Sequence, residues 1–565
     1  MQMRHTYFSV LGQPFFSVGG QVHNSSGYPI GRKGNRQYEE DCERSFQSLK
    51  AIGANTIAVP VCWDAFEPEE GAYDVSYVHT VIDNIRCHGL HGILLWFGTW
   101  KNGQMEYTPA WVKKDRKRFP RVLCKDGTET TVLSPHSRSN LEQDAKAFCA
   151  LMEIIRDYDE KQETILAVQV ENEPGIYAAT RRDFGEAGTK AFEEDVPEEV
   201  RRTAETAEGA MHDSWVKNGR RKQGNWREMF GPFGAELCTA WAIAGYIDEI
   251  AARGKDIYDI FMYTNVWMDR NSDYGWNLAG LEYPCGGAVS KCLPLWHCAC
   301  GHLDAICPDI YEQNPEAVRK AYGIYGKGEQ GWPLYVPESG LTAVNATCMF
   351  EAVGSRQAIG YHVFGIESCL DPEGRLKESA EPVMHSFTML TAAAGLLLPG
   401  GGAQAIHAFC QSVGQDSCFL EVGNRRCRVS FAGVAMDYAG WVPFDYHHGR
   451  DSEGEPRRVP VSLTEETARG LLFCMGEDEF FLVGHKVRLF FTEQVPEDGS
   501  LPAGWMNGQH LAHGMEFLCL EEGHFEEGAF VTDRIRSGDE ARHGIWAQYD
   551  CGVVHFILGT SQGRN

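Results

Sequence analysis

Eight short apolar runs, separated by helix-like stretches, constrain this chain more than anything else in it. They span 15–22, 56–61, 92–96, 165–170, 260–264, 305–310, 333–336 and 358–363. Between them, 77–87, 141–156, 235–252 and 315–322 carry apolar residues at helical spacing. A short continuous apolar run bounded by turns reads as a strand buried on both faces, and alternation with helices reads as βαβ units in a parallel sheet. Eight such units suit an α/β fold of the (β/α)8 barrel type with long loops. An open doubly wound sheet would want a glycine-rich phosphate turn leading into a helix after the first strand. Here Gly19-Gly20 runs on into Gln21-Val22-His23. A helical pattern at 382–398 and the hinge Pro399-Gly400-Gly401-Gly402 close a barrel assigned to 1–398. From 399 to 565 the pattern changes to short runs (418–422, 426–432, 470–474, 480–483 and 553–558) broken by Gly, Asp and Pro. That predicts a C-terminal all-β, sandwich-like accessory domain. With no long linker, rigid docking on the barrel is expected.

The ends of two of these runs carry the chemistry. Ile165-Leu-Ala-Val-Gln-Val170 leads into Glu171-Asn172-Glu173-Pro174-Gly175, and Pro333-Leu-Tyr-Val336 leads into Pro337-Glu338-Ser339-Gly340. The carboxyl ends of barrel strands are where such enzymes place catalytic groups. Two carboxyls facing each other across a barrel mouth are what glycoside hydrolysis needs: one protonates the leaving oxygen while the other attacks the anomeric carbon or activates water. With 78 Asp and Glu in the chain, a pair of carboxylates alone carries no information, and the strand-end placement is what counts. Glu67 and Glu171 are set aside as catalysts. The first precedes a proline in a loop, and the second faces away from the mouth if the strand stays regular.

These segments resemble the clan-A glycoside hydrolases, with the family 35 β-galactosidases and the related family 42-like group as the nearest expectation. The resemblance rests on the Asn172-Glu173 and Glu338 segments and on Gly12-Gln-Pro-Phe-Phe-Ser-Val-Gly-Gly-Gln-Val-His23-Asn24. It also rests on an ordered set after the second run: Trp63, Glu67-Pro68 and Gly71-Ala-Tyr-Asp74. It extends to about residue 370 of a barrel. It implies Glu173 as acid/base, Glu338 as nucleophile, Asn172 on the sugar 2-hydroxyl, His23 at the sugar site, and Tyr311 bonded to the nucleophile. It implies a retaining, exo-acting β-galactosidase that needs no cofactor or metal for catalysis. β-Glucosidase or another β-glycosidase activity on the same scaffold, and a barrel that only binds carbohydrate, stay open as alternatives.

Flat aromatic rings near strand ends suit the apolar C–H face of a pyranose. Trp63 and, further out on the loops, Trp100 and Trp267 are candidate substrate contacts, with Glu67 and Asn102 for hydroxyls; Trp96 and Tyr263 read as core. A charged stretch at about 178–234 reads as a long loop insertion on the same face. Its trio Arg220-Arg221-Lys222 reads as solvated surface rather than a uronate site.

Composition narrows the partners. Fifty-two Lys and Arg against 78 acidic groups give a formal charge of −26, which disfavours nucleic acid and anionic membranes. No apolar run is long enough for a membrane span or a signal peptide, and the longest, 391–399, is too short. The 19 cysteines are scattered through predicted elements, as expected of reduced thiols in a cytoplasmic protein. Cys285, Cys292, His297, Cys298, Cys300, His302 and Cys307 lie close in sequence, but their spacing is tighter than structural zinc motifs favour, so no metal is expected there. The expected partner is a carbohydrate. Self-association into a homo-oligomer is left open.

Overall fold

The computed structural model describes residues 4–32, 34–269, 278–326, 331–423, 425–431, 465–492, 515–537 and 544–560, and a strand pair at Asp437–Tyr438 and Val442–Pro443. Eight parallel strands form one sheet: β1 Ser17–Gln21, β2 Thr56–Cys62, β3 His91–Lys101, β4 Ile165–Asn172, β5 Phe261–Trp267, β6 Ala305–Ile310, β7 Glu338–Ser339 and β8 Gly360–Phe364. β8 pairs with β1, and a parallel bridge between Val336 and Tyr361 joins the β7 segment to β8, so the sheet closes into a barrel. The helices α1 Arg36–Ala51, α2 Val75–Cys87, α3 Arg138–Asp159, α4 Gly234–Ile257, α5 Leu293–Ala299, α6 Pro315–Tyr325, α7 Ala343–Arg356 and α8 Glu381–Ala392 follow the strands in turn.

The apolar runs become strands because they are buried on both faces. Every residue of β2 and β4 is buried, each apolar side chain contributing about 1.5–3 kcal/mol against solvent. Departures from the expected strands have local causes. The first strand starts at Ser17 because Gln13–Phe15 pairs instead with Phe8–Val10 in an antiparallel hairpin. The seventh reduces to a bridge at Val336 and a two-residue ladder at Glu338–Ser339, because Pro333 and Pro337 have no N–H to donate.

The charged insertion is not an open loop. Residues Glu186–Glu193, Glu198–Thr206, Ala210–Lys217 and Trp226–Phe230 are helices, with Val200, Ala204, Met211, Trp215, Trp226, Met229 and Phe230 buried beneath them. These sparse apolar residues recur at helical intervals, but the charges between them mask the pattern.

Among the described residues the C-terminal part has two larger antiparallel sheets in addition to the strand pair at 437–443. One orders β9 Ala405–Cys410, β12 Arg469–Cys474, β13 Glu479–His485, β18 Val553–Thr560, β15 Met515–Glu526 and β16 Ala529–Ile535. The other orders β10 Ser417–Val422, β11 Arg425–Ser430, β14 Val487–Thr492 and β17 Ile545–Ala547. Cys427, Leu489, Phe491, Leu482 and Phe556 fill the core they share. Ala432, at the end of one expected strand, lies outside the described residues. The large sheet also joins the barrel core through Leu471, Phe473, Phe481 and Val483. Arg469, fully buried, donates to the Pro382 carbonyl and Ser386 Oγ of α8. Among the described residues no helix is long and apolar enough to cross a membrane.

Candidate active site

The end of β4 leaves regular strand geometry. Glu171 and Glu173 both take positive φ, 64° and 44°, which is uncommon outside glycine and marks a site where surrounding contacts hold the backbone. Glu171 is turned away from the mouth, and its carboxylate accepts the backbone N–H groups of Thr99 (3.0 Å) and Trp100 (2.7 Å) at the end of β3. Gly98 is required there, since a Cβ would come within 2.6 Å of the Glu171 carboxylate. Glu173 is thereby presented to the mouth, its N–H donating to Asn265 Oδ1 at 2.8 Å.

Asn265, at the end of β5, ties the site together. Its amide donates to Asp309 Oδ2 at 2.8 Å and lies 3.4 Å from both Glu338 Oε1 and Asn172 Oδ1. On the other side of Glu338, the Tyr311 hydroxyl donates to Oε2 at 2.6 Å. Glu173, Asp309 and Glu338 are each under a tenth exposed. Burial, and next the charge of Glu338, raise the Glu173 carboxyl to about 7. Burial, then the charges of Glu338 and Glu173, push Asp309 well above the usual carboxylate range. Lys101, at the end of β3, opposes both shifts.

Several expected site residues converge here. Asn172 donates to Asn102 Oδ1 at 3.2 Å, bringing the β3 loop to the mouth. Trp267, half-buried at the end of β5, lines a cavity of about 140 Å³ together with Asp309 and Tyr311. His23 is exposed at the end of β1, hydrogen-bonded to Ser368 Oγ at 2.9 Å, with its ring edge against Phe364.

Three do not. Trp63 and Glu67 are both fully buried and satisfy each other, Trp63 Nε1 donating to Glu67 Oε2 at 2.7 Å while the other oxygen accepts Gly71 N–H. Asp74 accepts from Tyr77 N–H as the N-cap of α2. The Trp, Glu-Pro, Gly-x-x-Asp pattern is thus a folding motif that closes the β2 loop. Trp100 is also fully buried, packed edge-on against Tyr246 of α4, away from the mouth. The Cys285–Cys307 cluster disperses as well. Cys285 donates to the Arg181 carbonyl, Cys300 to the Ala244 carbonyl and His302 pairs with Asp248, while His297 stacks on Trp332.

Asp309, Asn265 and Lys101 were missed by sequence reasoning. Each sits at a strand end, so the rule that selected Glu173 and Glu338 also pointed to them.

The glycoside hydrolase family 42 model, described as beta-galactosidase, matches residues 34–219. Here the chain is β-galactosidase-like. Over this span the similarity is to family 42 rather than to the expected family 35. A β-galactosidase of Macaca fascicularis is 27% identical over 245 residues, 41% of this chain and 31% of that protein. The chain therefore spans about a third of the length of the curated relative it matches. Solved structures of similar chains include a β-galactosidase from the psychrophilic Marinomonas ef1, with a TM-score of 0.47 and 13% identity over 68% of this chain and 60% of that one. Another is a family 42 β-galactosidase from G. stearothermophilus, with a TM-score of 0.44 and 16% identity over 68% and 57%. The catalytic domain of a β-amylase from Paenibacillus polymyxa has a TM-score of 0.46 and 14% identity over 66% and 97%. Residues 383–548 match a domain family of unknown function, a span that runs from within α8 to just past β17.

Proposed function

We propose that the protein is a retaining, exo-acting β-galactosidase that removes terminal β-galactose from oligosaccharides, with Glu173 as acid/base and Glu338 as nucleophile. The observation that carries this is the difference between the two strand-end carboxyls. Glu173 is raised to about 7 by burial and the charge of Glu338. Glu338 receives the Tyr311 hydroxyl at 2.6 Å and the Asn265 amide at 3.4 Å, partners suited to a carboxylate. A carboxyl raised by its surroundings, beside one held by neutral hydrogen-bond donors, divides acid from nucleophile.

In the first step a Glu338 oxygen bonds to the anomeric carbon as the glycosidic bond breaks, and the Glu173 proton passes to the leaving oxygen. In the second, Glu173 takes a proton from water, whose oxygen bonds to the anomeric carbon and releases Glu338 with configuration retained. Asn172 and Asn102, bonded to each other at 3.2 Å, offer amide groups to sugar hydroxyls, and Trp267 offers an aromatic face. The similarity of residues 34–219 to β-galactosidases supports galactose as the glycone.

The test is hydrolysis of a panel of chromogenic β-glycosides by the native chain and Glu338→Gln. Cleavage of the β-galactoside, lost by several orders of magnitude in the variant, supports the proposal. Preference for another glycoside, or comparable turnover by the variant, contradicts it.

A further inference from the structure

The C-terminal sheet carries two groups of side chains that converge as metal ligands do, and they differ in electrostatics. The first, His385, Glu466 and His485, joins α8 to the sheet. Its single carboxylate is already neutralised: Arg469 Nη1 lies 3.0 Å and Lys486 Nζ 3.6 Å from it. A dication would have to enter against two fixed cations, so this group is an ion-pair clasp between the two parts of the chain.

The second group, Cys519, Glu521 and His555, has no such competitor among the described residues. Glu521 and His555 face each other directly across β15 and β18, and Cys519 stands two residues before Glu521, on the same face. That alignment depends on the irregularity between Phe517 and Cys519, which sets the register of the following residues. His555 Nδ1 lies 2.9 Å from Glu521 Oε1 and 3.9 Å from Cys519 Sγ. A tetrahedral ion with arms of about 2.0–2.3 Å needs ligand-to-ligand edges of roughly 3.3–3.8 Å, which small side-chain rotations reach from here.

The surroundings are those of a ligand histidine. His555 Nε2 lies 3.0 Å from Glu479 Oε1 on β13, the outer carboxylate that commonly accepts the far N–H of a metal-bound imidazole and leaves the near nitrogen's lone pair free. The Glu521 second oxygen accepts the Thr532 hydroxyl at 2.7 Å. Phe481 stacks on the imidazole at 4.6 Å and Phe530 lies 5.2 Å away, walling one side with apolar surface. Glu522, one residue on, points to the opposite face and there holds Arg534 and Arg536. Among the described residues, no lysine or arginine forms a salt bridge with Glu521 or Glu479.

We propose that Cys519, Glu521 and His555 form a site for a borderline-soft divalent cation of the zinc type, fastening β15 to β18 in the C-terminal domain. Thiolate, carboxylate and neutral imidazole are the ligands zinc prefers, and together with the ion they sum to zero charge. On binding, the Cys519 thiol releases its proton to solvent as the metal–sulfur bond forms. Catalysis at the barrel mouth plays no part in this site. The competing account, an imidazolium bridging Glu521 and Glu479, uses the same histidine but has no role for the thiol.

The experiment is metal analysis of the full chain after exposure to zinc and exhaustive dialysis, with cobalt substitution as a spectroscopic probe. The site predicts one zinc retained per chain and a thiolate-to-cobalt charge-transfer band in the near ultraviolet. Cys519→Ser should abolish the band and weaken zinc binding at least tenfold, and Glu479→Gln should weaken it about 10–100-fold. His385→Gln should leave zinc binding unchanged. Should Cys519→Ser fail to fold, the band in the native chain and its persistence in His385→Gln decide the matter. Absence of retained zinc, a cobalt spectrum without thiolate character, or a band that survives in Cys519→Ser would overturn the proposal.

Discussion

The Tyr311 hydroxyl donates to Glu338 Oε2 at 2.6 Å, joining the loop after β6 to the carboxylate at the start of β7. A neutral hydroxyl on a buried carboxylate fixes which oxygen is held and which faces the substrate. Hydrogen bonds to charged groups contribute about 1.5–3 kcal/mol. Tyr311→Phe is expected to lower kcat/KM by about 10–150-fold with the fold intact. Steady-state kinetics on an activated β-galactoside check this, and an unchanged kcat/KM would remove Tyr311 from the mechanism.

The pH profile follows from Glu173. Its carboxyl, raised to about 7 by burial and then by Glu338, must be protonated for the proposed acid role. kcat/KM is therefore expected to fall as pH rises through about 7, a limb that belongs to the neighbouring carboxyls Glu173 and Asp309 together. Stability has the same sign: the protonated form's advantage is complete below the ordinary carboxylate value and is lost as pH rises through the folded one. In Glu338→Gln the neighbouring charge is gone, so the Glu173 value should move down. A carbon-13 titration of the labelled glutamates in both proteins measures it.

Glu171 and Glu173 are two residues apart and should respond oppositely to amidation. Burial, then the charge of Asp144, push the Glu171 carboxyl well up, so its protonated form is favoured. Glutamine keeps one acceptor oxygen for a β3 N–H, but its amide nitrogen then faces the other β3 N–H, donor against donor. Glu171→Gln and Glu171→Ala should both lose about 1–3 kcal/mol, since each leaves at least one of the Thr99 and Trp100 N–H groups unpaired. Glu173→Gln should fold normally and lose turnover of substrates with poor leaving groups. Urea unfolding and kinetics on the three variants separate the roles.

The clasp at His385, Glu466, Arg469 and His485 predicts acid lability. Burial draws the Glu466 carboxyl up, but the hydrogen bonds to His385 and His485 and the charge of Arg469 hold it below the usual range. Burial lowers His485 to about 4, so it is neutral when folded. A histidine lowered by folding costs stability as pH falls from its ordinary value near 6.5 toward about 4, and the depressed Glu466 adds to the loss at lower pH. Unfolding followed at pH 7 and pH 5 should show the docking weakened at the lower pH. Glu466→Gln leaves buried Arg469 without its counter-ion and should cost about 3–5 kcal/mol.

The barrel was legible in sequence because buried parallel strands are apolar without interruption, as in β4, and because carboxyls at their ends stand out against that background. The site was legible only where one residue type implied one role. Glu171 and Glu173 are alike in composition, and only the two left-handed backbone positions, held by the β3 amides and Asn265, decide which of them faces the mouth. Trp63 and Glu67 misled for a related reason. A tryptophan and a glutamate four residues apart offer the same groups to a sugar as to each other, and the chain used them on itself. Cys519, Glu521 and His555 could not be found at all, since their meeting depends on a strand register set by one irregularity.

As the proposed nucleophile, Glu338 should form a covalent bond to the sugar. Incubation with an activated 2-deoxy-2-fluoro-β-galactoside, followed by intact-protein and peptide mass spectrometry, detects that bond. One fluorogalactosyl group per chain is expected, carried on the peptide containing Glu338 and absent from Glu338→Gln. Turnover of β-galactosides with no adduct, or an adduct on Glu173 or Asp309, would contradict it.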